Sequence, residues 1–334
     1  MGKLSTEDIK KMLNCIKRDP RVIVLPQYGF DSGVHVLNDD EWLVVSTDPC
    51  IGVPEEWFGW LLINYVASDI ALFGAKTEFC TINFLGSPST ETEVFQRVMK
   101  QTCVAAEELD IAIVTGHTGR YYGISTIVGV CTGYGHISKD RLITPRDAKP
   151  GDCILCVKPI GLETTVNFAI VHDGLAEELF GVLRAKELSK LVPMQSCVKE
   201  ALALARIEGV HAMHDATEGG IVAALNEMAT ASNVGFVVEQ ENFLIPEEAH
   251  LLKKFYKLSD TQMLSMSSTG TVLAAVNRDA VNEVEAVLSQ IGVEGRFLGC
   301  FTENLRRILV KSGEETLFPS EANDPYTRIC SQNL

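Results

Sequence analysis

A chain of 334 residues has room for two packed domains of about 100–200 residues each. Its 46% hydrophobic and 22% charged residues are those of an ordinary globular protein, which excludes disorder as its main state. A formal charge of −15 excludes nucleic acid and an anionic membrane surface as main partners. Any anionic ligand has to be held by local backbone dipoles, a metal ion or a few basic residues.

The opening MGKLSTEDIKK has no apolar run of the kind that starts a secretory signal, so the expected location is cytoplasmic. Gly2 and Thr6 fit a myristoylation pattern, but Ser5 and Asp8 fit a capping box at the start of a first helix, and that is the better reading. Gly33–Leu37 and Trp42–Thr47 flank the polar turn Asn38–Glu41 and predict a hairpin. The most apolar stretch, Trp57–Phe73, is short for a membrane span and carries Asn64, Ser68 and Asp69 in its middle. It predicts a buried helix stopped at Gly74. A strand is expected at Phe79–Leu85, then an amphipathic helix over about Glu91–Leu109 with Val94, Val98 and Ala105 inward, then strands at Ile111–Thr115 and Ile124–Tyr134.

Two prolines, a glycine and several charges break the apolar pattern over Thr144–Asp152, and the domain boundary is placed there. The expected organisation is 1–148, 149–318 and an extended tail over 319–334. The second half predicts strands at Cys153–Val157, Val210–Met213, Gly235–Val238, Thr271–Ala275, Arg296–Cys300 and Arg307–Val310. Helices are expected near Thr164–Glu178, Ser196–Ala205, Glu247–Tyr256 and Ala280–Ile291. Ten cysteines scattered over such a chain read as reduced core thiols. Cys153 and Cys156 have CxxC spacing, but on a strand they face opposite sides of the sheet.

Three constellations could carry chemistry. His214–Gly220 (HDATEGG) stands before Ile221, Leu225 and Met228, an apolar ladder at helical spacing. Thr217 suits an N-cap there, and Gly219 and Gly220 allow a close approach to a helix start whose free N–H groups favour an anion. Capping and tight helix packing explain the same residues equally well. Asp31, Asp48 and Asp69 stand near strand ends or inside an apolar helix, where a carboxylate is costly unless paired or metal-bound. Together their oxygens would suit Mg²⁺ with nucleotide phosphates; singly, each is an ordinary cap or ion-pair member. Thr115–Gly119 (TGHTG) follows an apolar strand, where hydroxyls and glycines can line a phosphate and His117 could donate a proton or be a plain loop residue. No Walker P-loop, zinc quartet or serine-hydrolase elbow is present.

In this order, Asp31 with Gly33, Thr47–Asp48, Ala67–Ala75 (ASDIALFGA), Thr115–Gly116, His214–Ala229 and Ser268–Val276 (STGTVLAAV) resemble one superfamily. It contains aminoimidazole ribonucleotide synthetase, selenophosphate synthetase, thiamine monophosphate kinase and the hydrogenase-maturation protein HypE. The resemblance runs over about residues 29–330, and Asp324–Cys330 (DPYTRIC) is similar to the Pro-Arg-Ile-Cys ending of the HypE branch. It implies a two-domain PurM-like α/β fold, a homodimer with a shared barrel of N-terminal strands, and binding of ATP and Mg²⁺. Asp31, Asp48 and Asp69 would hold the metal. Gly33, Thr47, Thr115, Gly116, His117, Asp215, Thr217, Gly219 and Gly220 would join them around the nucleotide. Cys330 would be the catalytic thiol, carbamoylated by a donor protein and then dehydrated to a thiocyanate that supplies hydrogenase metal centres.

The chain departs from the pattern at four places. Four residues follow Cys330, His117 stands where the family has an aspartate, Glu218 replaces an arginine beside the anion loop, and the glycine-rich N-terminal nucleotide segment is missing. Two alternatives therefore stay open: a non-catalytic scaffold paralogue with a degenerate nucleotide site, and an ATP-dependent small-molecule synthetase or kinase.

Overall fold

The chain builds two sheets, one within residues 22–138 and one within residues 153–317. The structure, a computed structural model, describes Leu4 and residues 6–331. Gly2 and Ser5, on which the myristoylation and capping-box readings rest, lie outside the described residues. Helix α1 begins at Thr6 and runs to Leu13. Leu13–Leu142 form one compact unit; residues 143–331 form the other, which takes in α1 up to Met12.

The first unit contains β1 (Val22–Val24), β2 (Ser32–Val36), β3 (Glu41–Ile51), α2 (Glu55–Leu72), β4 (Phe79–Gly86), α3 (Thr92–Glu108), β5 (Ala112–Arg120) and β6 (Val128–Ser138). Its sheet has the order β1-β2-β3-β6-β4-β5, antiparallel except for the parallel β4–β5 pair. The predicted hairpin forms as β2–β3, with Gly33 opposite Val45. Helix α2 is buried from Phe58 to Leu72 apart from Trp60 and Tyr65. Gly74 stops it at φ +84, and its N–H bonds the Ala71 carbonyl. This helix lies on β6 because β6 has glycines on that side: a Cβ at Gly133 would stand 2.5 Å from Val66 Cγ1, and one at Gly135 2.4 Å from the Lys76 carbonyl oxygen. Among the described residues no helix is long and apolar enough to cross a membrane.

Helix α3 faces inward through Phe95, Val98, Thr102 and Ala105, so its buried stripe centres on Phe95, and the expected Val94 is only half-buried. Strand β6 begins at Val128, where pairing with Ile51 starts, and ends at Ser138, four residues beyond the expected end. The glycines at 133 and 135 weakened the apolar alternation that would have marked it.

The second unit contains β7 (Cys153–Val157), α4 (Leu162–Val171), α5 (Asp173–Phe180), α6 (Val182–Leu188), α7 (Val198–Leu204), β8 (Val210–Asp215), α8 (Gly220–Ser232), β9 (Gly235–Glu239), α9 (Glu247–Tyr256), α10 (Asp260–Leu264), β10 (Val272–Val276), α11 (Val281–Ile291), β11 (Gly295–Thr302), β12 (Arg307–Lys311), β13 (Glu314–Leu317) and α12 (Tyr326–Cys330). The sheet order is β13-β12-β9-β11-β7-β10-β8. Strand β10 is buried at all five positions, as expected of a central strand covered on both faces. Ile221, Leu225 and Met228 of α8 are fully buried against Ile154, Cys156, Leu273 and Ala275, so the predicted ladder does face the core. A second apolar cluster joins Phe168, Leu252, Tyr256 and Met266 to Ile329 of α12. The mixed α/β architecture, with two sheets, is the one expected.

Candidate functional site

In the first unit the site begins with the alternation of β3. Val44, Ser46 and Cys50 are buried toward the helices, whereas Thr47 is exposed on the other face. Ser46 Oγ lies 2.7 Å from Asp69 Oδ2 and 2.9 Å from the Asp31 carbonyl oxygen, and its single proton serves both. This answers the question posed by an aspartate inside an apolar helix: Asp69 is 6% exposed, and the neighbouring strand supplies a donor. Ser46→Ala should cost roughly 1.5–3 kcal/mol, the range for a hydrogen bond to a charged group, read as a lower urea midpoint.

Thr47 and Asp48 point to opposite faces of the sheet. Thr47 Oγ1 lies 2.9 Å from Thr132 Oγ1 and 3.2 Å from the Cys131 carbonyl oxygen. Asp48 is paired in register with Cys131 on the helix-facing side. The Cys131 thiol is pushed far up, first by its hydrogen bond with Cys80, then by burial, with Asp48 adding to the effect. Among the described residues, Asp31, Asp48 and Asp69 do not form a set of three with ligand atoms within 4.8 Å of one another. Gly33 has ordinary room for a Cβ, 3.5 Å from the Val24 carbonyl oxygen, so local packing does not require glycine there.

TGHTG was expected to follow a strand. Instead it lies inside β5, with Thr115, Gly116 and His117 opposite Thr81, Ile82 and Asn83. As an edge strand, β5 is mostly exposed and needs no apolar run to persist past Thr115. Gly116 is required sterically, because a Cβ would stand 2.2 Å from the Ile82 carbonyl oxygen. His117 Nε2 is hydrogen-bonded to the Tyr121 hydroxyl.

In the second unit, β8 ends at Asp215, and the chain turns through Gly219 (φ +84) and Gly220 (φ +55) into α8. The N-cap is Gly219 rather than Thr217, whose carbonyl accepts from the Gly220 N–H. Two successive left-handed glycines displace the hydroxyl from the capping position. An anion does sit at this turn, and the chain itself supplies it. The Gly219 N–H donates to Asp324 Oδ2 at 2.9 Å, Ser267 Oγ donates to the same oxygen at 2.6 Å, and the Tyr326 N–H donates to Asp324 Oδ1 at 2.9 Å. Asp215 is buried, and its Oδ1 makes no hydrogen bond. Beside it His214 Nε2 lies 2.8 Å from Glu227 Oε2 of α8.

The segment expected to be an extended tail carries α12 and is docked. Ile329 is fully buried, Asn167 Nδ2 donates to the Tyr326 hydroxyl at 2.9 Å, and Arg328 Nη2 donates to the Tyr256 carbonyl at 2.9 Å. A five-residue helix is too short to show periodicity and holds only through such tertiary contacts. Cys330 Sγ donates to the Thr164 carbonyl at 3.7 Å. Burial pushes its thiol well up, and the nearby carboxylates of Glu163 and Asp324 add to this. Glu163 stands in the first turn of α4 and accepts from Thr269 Oγ1 at 2.6 Å. Its carboxyl is pushed up to about 7, chiefly by burial and further by Glu218 and Asp324. The sequence signalled neither Glu163 nor the role of Asp324. The Asp-Pro pair at 324–325 marked a turn but not the glycine turn it would meet.

The profile of the AIR synthase related protein N-terminal domain matches residues 29–135, and that of the C-terminal domain matches residues 149–309. The chain belongs to the AIR synthase-related protein family. It is 24% identical over 315 residues to the carbamoyl dehydratase HypE of Cupriavidus necator, covering 90% of this chain and 86% of that one. It is 23% identical to the selenide, water dikinase of Carboxydothermus hydrogenoformans, covering 93% and 95%. A crystal structure of hydrogenase maturation protein HypE in complex with ATP superposes with a TM-score of 0.67 at 20% identity, covering 86% of this chain and 87% of that one. At that identity the likeness shows the fold.

Proposed function

We propose that this chain is a HypE-like, ATP-dependent maturation protein. In this reading the Cys330 thiol receives a carbamoyl group from a donor protein, and the modified thiol is dehydrated to thiocyanate for hydrogenase metal-centre assembly. The observation that carries the reading is the tail: Asp324, Tyr326 and Arg328 seat a cysteine-bearing helix beside Glu163 and the glycine turn of α8. The similarity to a protein named carbamoyl dehydratase HypE, over nine-tenths of this chain, supports it.

Asp31, Asp48 and Asp69 are the proposed Mg²⁺-holding carboxylates, and the ATP-complexed HypE structure supports nucleotide binding. When bound, Mg²⁺–ATP would supply the phosphoryl group that makes a carbamoyl oxygen a leaving group. Thr115, Gly116 and His117 are proposed nucleotide contacts of the first unit, and Asp215–Gly220 is a proposed phosphate-facing loop of the second, in a cytoplasmic homodimer. The chain's own part is to present the sulfur. Asp324 fixes the tail, and Thr164 accepts the thiol proton in a weak hydrogen bond while the thiol waits.

Intact-mass measurement after incubation with a carbamoyl-donor system and ATP should show one carbamoyl addition followed by loss of water, and Cys330→Ala should show neither. No mass change in the wild type, or the same change in the variant, would overturn the covalent role.

A second reading is a non-catalytic paralogue of the same fold. It is favoured by one observation: the carboxylate of Asp324 already fills the glycine turn, with Glu218 beside it in sequence.

A further inference from the structure

Cys330 sits in a place unsuited to a bare thiolate. Helix α12 packs its last residue on the first turn of α4, where Glu163 and Thr164 are consecutive and Thr164 holds the thiol through its carbonyl. Asp324, two hydrogen bonds deep in the glycine turn and Ser267, brings a fixed negative charge to the same cluster, and Glu218 stands at its edge. Ionising the thiol alone would therefore add a negative charge to a group of carboxylates in a partly buried site.

Transferring its proton within the cluster leaves the net charge unchanged, and Glu163 is the chain neighbour of Thr164, the residue that holds the thiol. Asp324 has both oxygens engaged by backbone and hydroxyl donors. Glu163 accepts from Thr269 Oγ1 through Oε2 at 2.6 Å. Tyr256 of α9 belongs to the apolar cluster against which Cys330 packs; it is 6% exposed, its hydroxyl makes no hydrogen bond, and its ionisation is disfavoured by burial and by Cys330. From the tail, Tyr326 is bound by Asn167, and the Arg328 guanidinium lies 5.8 Å from the centre of the Tyr256 ring.

We propose that Glu163 is the proton acceptor for the Cys330 thiol, taking its proton as the sulfur bonds to an electrophilic carbon. The S–H bond breaks and the proton passes to the Glu163 carboxylate. A sulfur lone pair forms the S–C bond, and the electrophile's leaving group departs with its bonding pair. With a carbamoyl donor the leaving group is the donor's oxygen; with iodoacetamide it is iodide. A carboxyl raised to about 7 is poised to accept and return a proton near neutrality. The inference rests on the proposed role of Cys330, but its test needs neither nucleotide nor donor. Failure of the carbamoylation experiment and failure of this proposal are therefore separate results.

The test is the rate of iodoacetamide alkylation at Cys330 in the full chain, followed peptide by peptide by mass spectrometry from about pH 5.5 to 9. Exposed Cys15 and Cys103 serve as internal references. In the wild type the Cys330 rate should rise with an inflection near 7, while the references follow ordinary thiol ionisation. Glu163→Gln should lose that inflection and slow Cys330 at neutral pH by roughly tenfold or more, and Glu163→Asp should retain the inflection. A Glu163→Gln rate equal to or above the wild type would overturn the proposal, because removing a mere negative neighbour speeds a thiol. A wild-type profile without the inflection would overturn it without recourse to any variant.

Discussion

Gly220→Ala is expected to destabilise the chain by about 3 kcal/mol or more, seen as a lower urea midpoint with an unchanged slope. Gly220 has φ +55, where an L side chain costs roughly 1–2 kcal/mol. Space adds to the penalty. The new Cβ would stand 2.5 Å from the Met266 carbonyl oxygen and 2.8 Å from that of Leu264. Both are backbone atoms and cannot swing aside, so the start of α8 or the 264–266 segment has to move, at the roughly 1–3 kcal/mol typical of overpacking. Gly174→Ala is the control: its Cβ would meet nothing within 4 Å, at an ordinary helical φ, and no loss is expected. If Gly220→Ala is as stable as the control, the close approach of α8 to residues 264–266 is wrong.

Asp324→Ala should release the tail. Its carboxylate collects three donors, the Gly219 N–H, Ser267 Oγ and the Tyr326 N–H, at 2.9, 2.6 and 2.9 Å. Bonds to a charged acceptor are worth roughly 1.5–3 kcal/mol each, and water replaces part of them once the tail opens. A net bias of about 2 kcal/mol corresponds to a roughly thirtyfold change in the open population. Trypsin cleavage after Arg328 should therefore accelerate by about tenfold or more, with little change in global unfolding, because the tail is a local unit of structure. Unchanged cleavage would mean that Ile329 and the Arg328–Tyr256 contact hold the tail without Asp324.

Much of the fold was legible because one-dimensional patterns carried it. The apolar run of α2 with its stop at Gly74, the β2–β3 hairpin and the ladder of α8 follow from periodicity and glycine chemistry alone. The errors fall where packing replaces pattern. Strand β5 runs through TGHTG because an exposed edge strand needs no apolar alternation. The stripe of α3 centres on Phe95, a choice that periodicity leaves open by one position. The short helix α12 exists only through what it touches.

Legibility of the candidate site divides the same way. HDATEGG was recognisable as an anion-favouring helix start, but the sequence could not show that the anion is Asp324, 105 positions away. Thr47 and Asp48 are neighbours in one motif, yet the strand sends them to opposite faces. Glu163 was invisible, since its properties come from Thr269, Asp324 and Glu218, which only the fold brings near.

Titration calorimetry of the full chain with Mg²⁺–ATP tests the central claim most directly, because the proposed dehydration at Cys330 depends on nucleotide. Saturable binding is expected, weakened by about tenfold or more in Asp48→Asn through loss of a proposed charged ligand group. No saturable heat up to about millimolar nucleotide, which is weaker than about −4 kcal/mol, would contradict it and leave the non-catalytic paralogue as the reading that stands.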